Sequence, residues 1–344
     1  MKSLVTTVLV GSALLPGTAL AQQTMYVAGY SGDYQTFLER EIFPAFAEKH
    51  NVNLVYVAGN SSETLAKLQA QKGNQEISVA IVDDGPMQQA IQFGYCDPVA
   101  DAAVYGDAYG VASTDTFDGK AIGFGLVAAG LTYNTESFEQ NGWAAPTSWN
   151  DLTDPKFKQR VTSNPISGTY GLSTLIMFAR INGGSEEKIE PGFEAVREKL
   201  APNVLSWSAS NAQLAQMFQS GDVDLAVWGN ARAVALKNTG FPVEFVYPAE
   251  GSPVIVATAC AIAGNKLPEQ SQAFLQYLAT PEVQEKLAVQ GFGPANRKAK
   301  LEGDLAQSVP YGEAAVSKLL NIDWPVVNQN RAAWTDEWNR TVER

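Results

Sequence analysis

The run Ser78-Val79-Ala80-Ile81-Val82 is apolar at nearly every position and stops at Asp83-Asp84-Gly85-Pro86. A strand wetted on one face alternates polar and apolar residues. One that does not alternate is covered on both faces, as in a parallel sheet with helices above and below. The preceding segments have the matching organisation. A short apolar strand over residues 25–29 runs into Ser31-Gly32-Asp33, and a helix carrying Phe37, Leu38, Ile42 and Phe46 ends near His50-Asn51. Next come the strand Val52-Asn53-Leu54-Val55-Tyr56-Val57, the turn Gly59-Asn60-Ser61-Ser62-Glu63 and a helix with Leu65 and Leu68. Strand, turn and helix repeated in this way specify an α/β fold.

The pattern resumes further along the chain. Residues 124–133 form a long Gly- and Ala-rich apolar stretch, and Pro146-Thr147-Ser148-Trp149-Asn150-Asp151-Leu152 reads as a turn into a short helix. Arg160-Val161-Thr162 reads as a strand, Ser167-Gly168-Thr169-Tyr170-Gly171 as a loop, and Ile176, Phe178 and Ala179 mark a helix. A helix over 211–219 and strands over 223–228 and 243–247 complete a second α/β region. Two such regions with no charged linker predict two lobes with a cleft between them.

The first 21 residues belong to neither lobe. Lys2 precedes an apolar run over residues 4–15, then Pro16-Gly17 and Ala19-Leu20-Ala21. This has the form of a secretory signal peptide cleaved after Ala21, the run being shorter than the ~20 residues a spanning helix needs. The mature chain is thus expected in an oxidising compartment, most simply a bacterial periplasm. There Cys96 and Cys260 are free to pair, but Cys260 sits in Ala257-Thr258-Ala259-Cys260-Ala261 like a small packing residue, and the expectation is two buried thiols. With 24 Lys and Arg against 36 Asp and Glu, the formal net charge is −12, so no nucleic-acid partner is expected. His50 is the single histidine, which removes most histidine-centred catalysis; it sits where a helix C-terminus is expected.

Seven segments, in order, carry a resemblance. They are Glu41-Ile42-Phe43-Pro44-Ala45-Phe46, Gly59-Asn60-Ser61-Ser62-Glu63-Thr64-Leu65-Ala66-Lys67-Leu68 and Val82-Asp83-Asp84-Gly85; then Leu131-Thr132-Tyr133-Asn134-Thr135 and Pro146 to Leu152; and finally Tyr247-Pro248-Ala249-Glu250-Gly251 and Trp334-Thr335-Asp336-Glu337-Trp338-Asn339. Together they resemble the periplasmic solute-binding proteins of bacterial ABC importers, in the branch that includes polyamine, iron(III), thiamine and aminoethylphosphonate receptors. The resemblance implies a two-lobed venus-flytrap fold of type II. Residues 22–127 with 256–308 would form one lobe, and 128–255 with 309–344 the other. It also implies a monomer without a cofactor that takes a small-molecule solute to the permease subunits of an importer.

In such a fold the ligand lies at the carboxyl ends of parallel strands. The hydroxyl-rich turns with Ser31, with Ser61 and Ser62, and with Ser167, Gly168, Thr169 and Tyr170 each precede a helix, where free N–H groups and the dipole favour an anionic oxygen. The plainer reading of each is N-capping. Asp83 and Asp84 end a buried strand, so at least one carboxylate is expected in the cleft facing a ligand ammonium, with N-capping the alternative for Asp84. No metal is expected there, with no histidine and few other carboxylates near. Trp207, Trp228 and Tyr170 lie at element ends, as cleft walls or as core. Arg232 with Asn230 is placed to hold a carboxylate, or else is a surface arginine.

Departures from the family's patterns narrow the ligand. Polyamine receptors carry acidic residues where this chain has Ser167-Gly168-Thr169 and Val256-Ala257-Thr258, so Thr258 joins the candidates while a polyamine ranks lower. No Tyr-Tyr pair of the iron receptors occurs. The expected solute is a zwitterion such as an amino-acid derivative, an opine-like conjugate or an aminophosphonate. A polyamine receptor of the same fold, a secreted hydrolase using Asp83 and Asp84, and a sensor or adhesion module are the alternatives. Adjacent residues at a strand end point to opposite faces, which is poor geometry for a carboxylate dyad.

Overall fold

The computed structural model describes residues 22–208 and 210–343, so the expected leader lies outside the described residues. The strands are β1 (Gln23–Tyr30), β2 (Val52–Gly59), β3 (Ile77–Asp83), β4 (Ile122–Asn134), β5 (Val161–Ser163), β6 (Val204–Trp207), β7 (Leu225–Gly229), β8 (Val243–Val246), β9 (Val254–Ala261) and β10 (Gly293–Pro294). They run in the order β2-β1-β3-β9-β4-β7-β5-β6, with β8 and β10 also paired to β4. β1 is parallel to β2 and β3, and β9 runs antiparallel between β3 and β4.

β4 is what divides the molecule. Its residues 122–128 pair with β9, while residues 129–134 pair with β7 and β8. One 13-residue strand therefore leaves the first sheet and enters the second. The chain returns through Pro253 into β9. It passes again near Leu320, which bonds to both Ser252 and Val254, and ends in the helix Trp324–Thr341.

Each sheet is buried on both faces, as the lack of alternation requires. Val79 and Ile81 of β3 pack with Leu38, Phe46 and Phe274, while Ala80 and Val82 pack with Leu68, Met87 and Ile91 on the other side. In β7, Leu225 and Val227 face Leu172, Ile176 and Trp338, and Ala226 and Trp228 face Leu214 and Phe218. Trp324, Val327 and Trp334 fasten the last helix to the second core, whereas Val316 still packs in the first.

The helix Phe43–His50 ends in Asn51, which takes the left-handed conformation (φ 50°) favoured at such a terminus. His50 stacks on Phe46, ring centroids 4.2 Å apart. β6 has no counterpart in the sequence reading: it is a four-residue edge strand with Leu205 exposed, too short and too wet for its pattern to register. The two cysteines correct the expectation of free thiols. Cys96 bridges to Ile262 beside the end of β9, which brings its Cα within 5.6 Å of that of Cys260, and the two form a disulfide.

Candidate functional site

The ends of β1 and β3, the turn before the helix Ser61–Ala70, the loop before the helix Thr169–Ile181 and the start of the helix Asn230–Asn238 converge on one cavity of about 190 Å³. That lies below the roughly 300 Å³ at which pockets for drug-sized ligands begin, so the volume suits a small solute. Ser31, Ser61, Ser62, Asp83, Ser167, Gly168, Thr169, Tyr170 and Arg232 all line it.

The capping alternative is answered residue by residue. Asn60 caps the helix Ser61–Ala70 in a reciprocal box with Glu63, so neither Ser61 nor Ser62 is the cap. Gly168 and Gly229 occupy the N-cap positions of the helices Thr169–Ile181 and Asn230–Asn238, and neither helix has a side-chain cap. Two helix starts with unmet N–H groups and their positive dipole ends therefore border the cavity.

Asp83 is the carboxylate of the site. Its Oδ1 accepts the Tyr30 phenol at 2.7 Å and its Oδ2 accepts the Thr169 hydroxyl at 2.5 Å, while its backbone N–H donates to Ser61 Oγ at 3.1 Å. Burial, reinforced by Asp83, holds the Tyr30 phenol well above its ordinary range. Burial pushes Tyr170 up to about 12, with Arg232 acting in the opposite direction. Both phenols are thus neutral donors near neutral pH.

Two guanidiniums face that single carboxylate. Arg232 stands in the first turn of the helix Asn230–Asn238, beside Tyr170. Arg331 comes from the last helix and donates to the Ser167 carbonyl at 3.2 Å, its basicity lowered by burial and partly restored by Asp83. Among the described residues neither has a carboxylate within ion-pair distance. The lining thus carries two cations against one anion, in a chain whose net charge is −12.

Asn211 adds a donor. The Trp228 indole N–H donates to Asn211 Oδ1 at 2.8 Å, which leaves the amide nitrogen as the group able to serve the cavity that Asn211 lines. The opposite wall is apolar: Phe292 lies parallel to Tyr30 at 6.5 Å, with Tyr34 behind both at 5.2 Å. Gly229 lets the Tyr170 ring sit against the backbone. A Cβ there would lie 2.3 Å from the phenol oxygen.

Five sequence candidates lie off the cavity. Asp84 points the other way along the backbone and accepts the Trp324 indole N–H at 2.7 Å. Trp207 packs edge-on against Trp338, ring centroids 4.8 Å apart, because β6 places it over the last helix. Trp228 is core, as the period of β7 dictates, and acts on the cavity only through Asn211. Asn230 is fully buried at the passage between sheets, accepting from the Ala128 N–H and donating to the Gly291 carbonyl. Thr258 spends its hydroxyl on the Val82 carbonyl.

Sequence reasoning missed Tyr30, Asn164, Asn211, Phe292 and Arg331. Tyr30 was signalled by its place directly before Ser31, and Asn211 by its place at a helix start. Arg331 had no local signal, since only the return of the last helix brings it to the cleft.

A family model described as "Bacterial extracellular solute-binding protein" matches residues 41–311. A spermidine/putrescine-binding periplasmic protein of Haemophilus influenzae is 29% identical over 178 residues, which is 51% of this chain and 48% of that protein. Among solved structures, the periplasmic binding protein AfuA of Actinobacillus pleuropneumoniae, with fructose-6-phosphate bound, superposes with a TM-score of 0.77 at 19% identity. That match covers 94% of this chain and 99% of the other. The A. tumefaciens protein MotA in complex with glucopine gives 0.76 at 18% identity, covering 93% and 99%. The two structural matches are likenesses of fold, to proteins of the two-lobed architecture.

Proposed function

The chain belongs to the bacterial extracellular solute-binding proteins, and on that premise we propose that it is the periplasmic receptor of an ABC importer for a small solute with an anionic head, held by Arg232 and Arg331. The solute class that fits is a zwitterion: an amino-acid derivative, an opine-like conjugate or an aminophosphonate. Its carboxylate or phosphonate lies against the two guanidiniums, the Asn211 amide and the uncapped helix starts, and its ammonium faces Asp83.

The observation that carries this reading is the excess of positive charge in the lining. A di- or tricationic polyamine would meet one carboxylate and two arginines, and buried like charges are strongly unfavourable. The spermidine/putrescine relative shares only part of its length, so polyamines belong in the test as the opposing arm. One structural neighbour is a complex with glucopine, so opines belong among the solutes tested.

The reading extends to the rest of the chain. Export would end with cleavage after Ala21, and the monomeric receptor would dock on permease subunits without any cofactor. Residues 22–127 with 256–308 form the first lobe of this proposal and 128–255 with 309–344 the second. Asp83 and Asp84 face opposite ways, so a hydrolytic dyad finds no support.

A thermal-shift screen of amino acids, opines, aminophosphonates, polyamines and ferric salts tests the assignment. A ligand at a hundredfold excess over its dissociation constant stabilises the native state by roughly 2.7 kcal/mol. The largest shift is expected with an acid or zwitterion. A shift confined to spermidine or to ferric citrate would overturn it.

A further inference from the structure

Behind the cavity a second buried carboxylate joins the two halves of the molecule. Asp84 opens the helix Asp84–Gln92 on the first sheet's side and is 5% exposed. The indole that bonds to it belongs to Trp324, the first residue of the helix fastened to the second core. The Trp324 ring covers this spot so closely that a Cβ at Gly85 would lie 2.4 Å from its Cε3. One helical turn on, Asn328 donates to the Gly85 carbonyl at 3.1 Å and accepts from the Gln89 amide at 3.1 Å. Trp324, Asn328 and Arg331 are spaced i, i+4, i+7, so they share one face of a rigid helix. Two of them grip the first lobe, and the third reaches the cavity.

We propose that Asp84 and Trp324 form an interlobe lock that sets how the last helix presents Arg331 to the cleft, and that the protonation of Asp84 decides how readily the lobes close. Opening lifts the indole and admits water to the carboxylate, while closing buries it again.

The lock is only half satisfied. Asp84 Oδ2 takes the indole bond, but Oδ1 makes no hydrogen bond, the Gly85 and Val256 amides lying near enough only to ease the charge. Burial raises this carboxyl from the ordinary carboxylate range to about 7, with the indole bond opposing and Asp83 adding to the rise. The charged or titratable groups around it are few. Asp83 precedes it at the end of β3, Tyr30 on β1 is bonded to Asp83, and Arg331 on the last helix feels Asp83; β9 presents the Val256 backbone, and Gln89 lies further along its own helix. Among the described residues none forms an ion pair with Asp84.

The sign follows from linkage. The closed form has the higher pKa, so closing takes up a proton. The gain is full below the open-form pKa, shrinks as the pH rises towards about 7 and is gone above it. Between the open-form pKa and about 7, the closed-to-open ratio changes by up to about tenfold per pH unit.

The test needs no solute, so its failure is separable from failure of the proposed ligand class. Among the described residues the native cysteines are bonded to each other, which leaves introduced cysteines at the exposed positions Lys72 and Glu139 to carry spin labels, one on each lobe. Distance distributions of the ligand-free protein are recorded by electron-electron double resonance from pH 5.5 to 8.5. The short-distance population should grow as the pH falls through about 7. Asp84→Asn, which keeps an acceptor for the indole and cannot ionise, should give a flat profile at the wild-type low-pH value. Trp324→Phe should move the population towards open at every pH. A flat wild-type profile, or an Asp84→Asn profile that still follows the wild type, would overturn the proposal.

Discussion

Thr169 donates its hydroxyl to the Asp83 carboxylate at 2.5 Å, and this one bond spans the cleft between a helix of the second lobe and the end of β3 in the first. Tyr30 holds the other oxygen from the same side as Asp83. The carboxylate is therefore oriented before any solute arrives, which lowers the cost of ordering it on binding. Hydrogen bonds to charged groups contribute about 1.5 to 3 kcal/mol. Thr169→Val keeps the branched shape and removes the donor, so ligand-free protein should shift towards the open form. Small-angle scattering at neutral pH should show a larger radius of gyration than wild type, with the urea midpoint little changed.

Arg232 and Arg331 share one anion in this account. Removing either from a closed, water-poor cleft leaves part of the ligand's charge unpaired, so each alanine variant should lose on the order of 2 to 5 kcal/mol of binding. Because they act on the same group, the double variant should lose less than the sum. Calorimetric titration with a solute from the thermal-shift screen gives the affinities, and urea unfolding should show stability near wild type. Wild-type affinity in Arg232→Ala would remove that residue from the site and leave the Ser167 to Tyr170 loop with Arg331.

Trp228 separates core from cleft. Its indole packs parallel to Phe218 at 6.2 Å and its N–H fixes the Asn211 amide. Trp228→Ala should cost about 3 to 5 kcal/mol of stability. Trp228→Phe keeps most of the packing but frees the amide to turn, so it should lose affinity while retaining more of the urea midpoint than the alanine variant. Unchanged affinity in the phenylalanine variant would show that Asn211 needs no fixing.

The disulfide closes a loop of 164 residues between Cys96 and Cys260. Loops of this length restrict the unfolded chain strongly, and loss of a native disulfide costs about 2 to 5 kcal/mol. The double serine variant should unfold at a correspondingly lower urea concentration with unchanged affinity, since neither residue lines the cavity.

The sequence was most legible where burial is complete. The run ending at Asp83 revealed a doubly covered strand because no residue in it needed water, and the turns at Ser61 and Thr169 were visible because hydroxyls cluster before helices. What stayed hidden depends on side-chain direction and on distant returns of the chain. Asp83 and Asp84 are neighbours with opposite fates, one bonded across the cleft and the other covered by Trp324. Trp228 resembles a cleft aromatic by position, yet the period of β7 turns it into the core. Cys96 gave no sign of lying beside β9, since a single bridge to Ile262 brings it there. Arg331 joins the cavity only because three passages between the sheets place the last helix beside the loop at Ser167.

The most direct measurement is of the solute itself. Protein purified natively from its host, without denaturation or extensive dialysis, is examined by native mass spectrometry, and its ligand is released and identified. The account predicts one small acid or zwitterion per chain, bearing a carboxylate, phosphonate or phosphate and absent from the Arg232→Ala, Arg331→Ala double variant. A polyamine or a ferric complex recovered stoichiometrically, and retained by that double variant, would contradict it.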